Sequence, residues 1–396
     1  MKSMNLFNHK GESSEALFGN TKPKETTDQL LTSPIQNEDG VLTFAIKGTI
    51  YSLNVNSEEE RERVKEEVNA NSLTHYDWFK EGIGEKHWVL YNVKMYEVYP
   101  DIKDFLHYNE DCDTNPVIPV NATSCYSMFY GCYKLNQLDL SNFDTSNITD
   151  MHGMFKECKN LSQLDLSNFD TSQVTDMCGM FSGCTALTQL NLSNFDTSHV
   201  TTMNEMFYGC EALSKLDLSN FDTSQVTTMF MMFSNCLKLT QLDLSNFDTS
   251  NVTEMSYMFD NCLSLTRLDL SNFDTSNVTT MCGMFSCCKK LTMLDLSSFD
   301  TSQVTDMCGM LEGCHHLSQL DISNFNTREV TRTENMFYYC ISLTTIYISN
   351  KWNLNKVTNA KDMFKECRFL PNFNSGKIDD KKAKPVEEGG YLTLKE

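Results

Sequence analysis

The sequence predicts an α/β solenoid, with parallel strands on one face, short helices on the other, and a small α+β unit capping its N-terminal end. The first observation behind this is a 26-residue unit, close to LDLSNFDTSNVTDMxGMFxxCxxLxQ, that recurs nine times. Its triplets open at Leu138, Leu164, Leu190, Leu216, Leu242, Leu268, Leu294, Leu320 and Ile346, always 26 residues apart. Spacing kept this strictly makes each copy one structural unit stacked on the last. The second observation is that Leu135-x-x-Leu138-x-Leu140 alternates apolar and polar residues, as a short strand with one buried face does. The third is that Ile148, Met151, Phe155 and Cys158 follow at steps of three, four and three. At roughly 100° per residue those four cluster on one helical face.

Between strand and helix lie Ser141, Asn142 and Phe143, then Asp144-Thr145-Ser146, whose side chains bond nearby backbone and turn the chain. The period and the LxxLxL core match the leucine-rich-repeat signature. One departure is Phe143 at the usual Asn position, with Asn142 one residue earlier. The column Asn142, Asn168, Asn194, Asn220, Asn246, Asn272, Ser298 and Asn324 is expected to bridge neighbouring coils.

With its SNFDTS turn and MF-x-x-C segment, the unit resembles the leucine-rich repeats of bacterial BspA-like surface proteins, a type also found in mycoplasmal proteins. The resemblance covers roughly Ser124 to Pro371. It implies a solenoid used for attachment or protein binding, and it brings no catalytic residue.

The flanks divide the chain into four regions. Residues 1–39 are polar and aperiodic and are expected to be disordered. Residues 40–120 form the α+β cap. In it, Val41 to Val55 alternates around Lys47-Gly48 as a hairpin, and Ser57 opens a charged helix to about Asn71. His87 to Val98 again reads as extended. Residues 121–371 form the solenoid. Residues 372–396 form a tail or cap in which Tyr391-Leu392-Thr393-Leu394 adds a last strand. Near the end, Trp352 replaces the Phe column after a one-residue insertion, as atypical terminal repeats do.

Composition excludes several classes. A net charge of −21 opposes nucleic acid, whose phosphates need Lys and Arg, and anionic membrane surfaces for the same reason. No run is long enough to cross a bilayer. Location is open: the resemblance implies the cell surface or secretion. The start, Met1 to Lys10, lacks a secretory apolar segment and a lipid-attachment Cys, which fits a cytoplasmic or non-classically exported protein.

Sixteen cysteines invite a disulfide or metal reading. Cys132, Cys158, Cys184, Cys210, Cys236, Cys262, Cys288, Cys314 and Cys340 form one column, continued one residue late by Cys367. There Cys is the small apolar third contact of each helix. Helices pack about 8–10 Å apart and a disulfide needs Cα atoms within about 7 Å, so the ladder thiols are expected to stay reduced. No CxxC pair is present, so the familiar zinc frameworks are missing. A second group, Cys282, Cys287, Cys288, Cys308, Cys314, His315 and His316, falls within two adjacent coils. Packing of the Cys178, Cys282 and Cys308 column against the Met column of the next coil is expected to explain it, with no metal or cofactor assigned.

The remaining chemistry is acidic and faces outward. Asp139, Asp165, Asp217, Asp243, Asp269, Asp295 and Asp321 alternate with buried leucines, and Asn191 interrupts the row. Carboxylates about 4.8 Å apart repel by roughly 1 kcal/mol even in water, so this face is strongly electronegative. A second row, Asp144 to Asp300, sits at the turn and accepts backbone N–H bonds. Beside the first row the outward column reads Gln, with Lys215, Arg267 and Met293 as exceptions and Thr345 last, and Tyr347 adds an aromatic at the end of the face. These residues and the acidic row are the candidate partner-binding set, for a protein ligand of basic character. The expected function is non-enzymatic protein binding through the strand face, in surface attachment or host interaction. An intracellular or exported effector-like binder of a soluble target is the alternative, and a thiol- or metal-dependent enzyme a distant one.

Overall fold

A computed structural model describes residues 123–374 except 134, 139, 141 and 142, residues 382–395, and the backbones of five strands nearer the N-terminus. Those strands are β1 (Ile35–Gln36), β2 (Val41–Ile46), β3 (Thr49–Asn54), β4 (His87–Tyr91) and β5 (Lys94–Val98). β1, β2 and β3 form an antiparallel sheet in that order, Ile46 opposite Thr49, so the alternation from Val41 does build a hairpin. β4 and β5 form a second antiparallel pair. The helix expected after Ser57 lies outside the described residues, as does the polar N-terminus apart from β1.

From Ser124 onward the sequence period is a stacking period. Parallel bridges join Ser124 to Asp150, Asp150 to Asp176, and so on in steps of 26 to Arg332, with a last step of 27 to Asn359. That longer step is the insertion read near Trp352.

The short helices expected on the second face do not form. Residues 152–157 and their equivalents, after the bridge at Asp150, are consecutive turns, and among the described residues helical conformation is confined to 3-10 turns near the C-terminus, at Lys382 and Val386–Glu388. The backbone shows why. Alternate N–H groups leave the coil: Met151, Gly153, Phe155 and Glu157 donate to Asp176, Cys178, Met180 and Ser182 of the next coil, at 2.6–2.9 Å. The intervening ones close tight turns, Met154 N to Met151 O at 3.2 Å and Cys158 N to Phe155 O at 3.1 Å. Each of these turns puts a left-handed residue third, Gly153 at φ 58° and Glu157 at φ 64°. That is a type II turn, and left-handed residues have no place in a right-handed helix. Steps of three and four therefore return side chains inward by successive turns instead of by helical rotation.

The core is a set of columns. Phe129, Phe155, Phe181, Phe207, Phe233, Phe259 and Phe285 are fully buried and stack ring on ring at 5.4–5.9 Å. Leu311 interrupts the column before Phe337 stacks on Phe364. This spacing replaces the helix separation of the sequence argument, so distance is not what keeps the ladder thiols apart. From Cys158 to Cys367 the ladder thiols form no disulfide and each donates to a carbonyl of the preceding coil: Cys158 Sγ to Phe129 O at 3.0 Å and Cys236 Sγ to Phe207 O at 3.3 Å are examples. Burial raises the pKa of the ladder thiols from Cys184 to Cys367, Cys210 and Cys340 to about 12, which keeps them protonated donors.

On the triplet side, β6 (Gln319–Asp321), β7 (Thr345–Ile348) and β8 (Thr393–Leu394) form a parallel sheet. The C-terminal segment therefore adds the expected last strand, with Tyr391 and Leu392 buried beside it. Triplets between 163 and 296 form no strand, which corrects the continuous sheet read from the alternation. Side chains take the place of the ladder: Asn168 Nδ2 donates to Leu140 O at 2.8 Å and Phe143 O at 3.0 Å, and Asn194, Asn220, Asn246, Asn272 and Asn324 do the same. Ser298 keeps one such bond. Buried Thr hydroxyls tie the next corner, Thr171 Oγ1 donating to Asp196 O at 2.9 Å and accepting from Asp196 N at 2.8 Å. No helix among the described residues is long and apolar enough to cross a membrane.

Candidate functional site

The outward triplet face carries the sequence-predicted set. Asp165, Lys215, Asp217, Asp243, Arg267, Asp269, Met293 and Asp295 are exposed, Met293 at 75%. Asp321 and Tyr347 are half-buried where the strands pair, and Asp139 lies outside the described residues. Lys395, from the segment after β8, forms an ion pair with Asp321. Tyr347 stands opposite Thr393 in the same sheet. The open part of the face thus runs from the first coils to Asp295. A groove of about 590 Å³ marks its first three coils, lined by Gln137, Gln163 and Gln189 beside Leu164, Asp165 and Asn191.

Each face Asp also has a local task that the alternation did not show. Ser167 N donates to Asp165 Oδ1 at 3.0 Å, and the bond recurs at Asp217, Asp243, Asp269, Asp295 and Asp321. Asn191 Oδ1 accepts the same bond from Ser193 N at 3.1 Å. The turn therefore needs an oxygen, not a charge. The backbone and hydroxyl of that serine lower the pKa of Asp165, Asp217, Asp243 and Asp269, and Asp217 and Asp269 in turn press Asp243 upward. The second Asp row behaves as read: Ser172 N donates to Asp170 Oδ1 at 3.0 Å, and the pattern repeats. It leads into turns, however, and not into helices.

The varied column gives a different result from the Met packing expected of it. Cys282 Sγ donates to Tyr257 Oη at 3.2 Å. His152 with Asp176 and Cys178, and Cys282 with Asp306 and Cys308, form two groups in which ligating atoms lie within 4.8 Å of one another. Helical angles could not reveal them, since the members come from adjacent coils at offsets of 24 and 26 residues. Cys287, Cys314, His315 and His316 belong to neither group.

Stacked 26-residue coils, inward Leu, Met and Phe columns and an outward LxL triplet define a leucine-rich-repeat protein. Segments 93–193, 123–216, 188–268 and 265–377 match the family described as "Mycoplasma protein of unknown function, DUF285", and the chain belongs to that family. Its repeats are of the BspA-like type. A crystal structure of a leucine rich cell surface protein from Faecalibacterium prausnitzii A2-165 is similar at 17% identity, over 60% of this chain and 79% of that one, with a TM-score of 0.26. No curated protein matches the chain.

Proposed function

We propose that the protein is a non-enzymatic leucine-rich-repeat solenoid that binds another protein, basic in character, through its outward triplet face, in cell-surface attachment. One observation carries this reading. Asn191 meets the needs of the turn without charge, yet the equivalent positions hold Asp165, Asp217, Asp243, Asp269 and Asp295. The charge exceeds what folding uses, and it is kept against mutual repulsion. It lies beside a column whose exceptions, Lys215, Arg267 and Met293, no packing demands. Complementary charge of this kind steers a partner and fixes its register.

The natural Asn191 supplies the test. Asp217→Asn, Asp243→Asn and Asp269→Asn together remove three charges and keep three turn acceptors. Exposed pairs contribute about 0.2–1 kcal/mol each, so capture of protein from a surface extract of host-type cells falls about tenfold. Thermal unfolding at neutral pH shifts only slightly, by the contribution of three exposed turn charges. Equal capture by the triple variant contradicts the reading.

A further inference from the structure

Two equivalent groups of ligating side chains lie 130 residues, or five coils, apart. His152 and Cys282 share one repeat position, as do Asp176 and Asp306, and Cys178 and Cys308. Within each group one atom from every side chain falls within 4.8 Å of the others. Zinc–sulfur bonds of about 2.3 Å at tetrahedral angles put ligand atoms about 3.8 Å apart, a small rotamer adjustment away.

Intervening coils use the same positions differently. Asn204 Oδ1 accepts from Thr228 Oγ1 at 2.7 Å and from Phe230 N at 3.0 Å. The hydroxyls of Ser256 and Thr280 pair at 2.9 Å. Those gaps are closed by donor–acceptor pairs. In the two groups every side chain brings lone pairs of the kind metals take, with Cys282 also donating to Tyr257 Oη and His152 facing Asp176 at 3.7 Å, and the backbone fixes the carboxylate. Cys178 N donates to Asp176 Oδ1 at 2.8 Å, and Cys308 N to Asp306 Oδ1 at 2.9 Å.

We propose that Cys282, Asp306 and Cys308 bind a zinc-class divalent ion, and that His152, Asp176 and Cys178 form a second, weaker site. Paired thiols select a borderline or soft cation, whereas calcium and magnesium take six or more oxygens. Around the first site Arg332 holds the other oxygen of Asp306 at 2.9 Å and also pairs with Glu334. The Glu334 carboxylate bonds the Cys308 thiol and adds negative charge beside the site, its oxygens being held by Arg332 and Asn359. The second site lacks that carboxylate, since its equivalent is Asn204, already engaged. A bound ion deprotonates a coordinating thiol outright.

This inference is independent of the triplet face and is tested with the full chain, reduced and stripped of metal. Titration with cobalt(II) chloride is expected to raise thiolate-to-cobalt charge-transfer absorption, saturating at two ions per chain, one for each group. Zinc(II) bleaches it. Cys282→Ser with Cys308→Ser removes the tighter phase, weakening binding there roughly 100-fold or more, beyond what outer-shell changes cost. Cys178→Ser removes only the weaker phase. Cys287→Ser, outside both groups, leaves both phases and is the control for thiol loss alone. The proposal is overturned by no charge-transfer band in protein whose thiols titrate as free, or by a tight phase that survives in the folded double variant. A Cys282–Cys308 disulfide whose reduction restores no cobalt affinity overturns it equally.

Discussion

At the residue scale, the left-handed positions decide between helix and turn. Gly131, at φ 73°, has no atom within 4 Å of where a Cβ would stand, so Gly131→Ala meets only the backbone cost of about 1–2 kcal/mol. At Gly283, φ 60°, an added Cβ would lie 2.3 Å from the Tyr257 ring. Gly283→Ala therefore costs clearly more than Gly131→Ala in urea unfolding, and equal costs contradict the turn geometry. The face carboxylates add a pH dependence of definite sign. Asp165, Asp217, Asp243 and Asp269 have pKa values lowered from 3.8 by their serine N–H bonds. Groups with depressed native pKa values stabilise the fold above their unfolded value and lose that contribution as pH falls through the native one. Melting temperature should hold from neutral pH to about pH 4 and fall below it, and Asp→Asn at these positions should flatten that fall.

At the element scale, Asn side chains stand in for a strand ladder. Asn220→Ala strands Leu192 O and Phe195 O, which it meets at 3.0 and 2.6 Å. Leaving such groups unpaired costs about 1–3 kcal/mol in chemical denaturation. Asn350 sits at the equivalent position where β6 and β7 zip directly, with Ile322 N bonded to Tyr347 O at 3.0 Å. It is exposed, and Asn350→Ala should be near neutral. The contrast also shows what was legible. Period, buried columns and the Asn bridges were all readable, because each follows from one residue type recurring at 26, and the last strand from the Tyr391-Leu392-Thr393-Leu394 segment of the tail. The helix was misread because Ile148, Met151, Phe155 and Cys158 fit both helical rotation and successive turns. The discriminating signal was Gly at 153, 179, 283 and 309, with Gly or Asn at 183, 209, 235, 261 and 313. Two left-handed residues per coil argue against any helix. Cys282 and Cys308 stand out in the sequence, but Asp306 beside them and the whole His152 group do not, because the members come from neighbouring coils and neither coil alone carries a metal motif.

At the scale of the whole molecule, stability is a sum over contacts between neighbouring coils. Deleting residues 217–242 joins Leu216 to Asp243 and preserves the register. That variant should fold with the same circular dichroism per residue and a smaller denaturant slope, in proportion to the surface lost. Deleting only 230–242 breaks the register and should abolish cooperative unfolding. The stack consumes the Phe, Met, Cys, Asn and Thr columns, and leaves the triplet face as the surface with chemistry to spare. Site-specific photocrosslinking tests that directly. A photoreactive side chain at Gln189 or Gln241, on the triplet face, is predicted to capture a discrete protein from a host-type surface extract, while one at Ser224 or Asn251, at the second turn row, captures none. Equal capture from both sets, or capture from the turn row alone, would contradict the account.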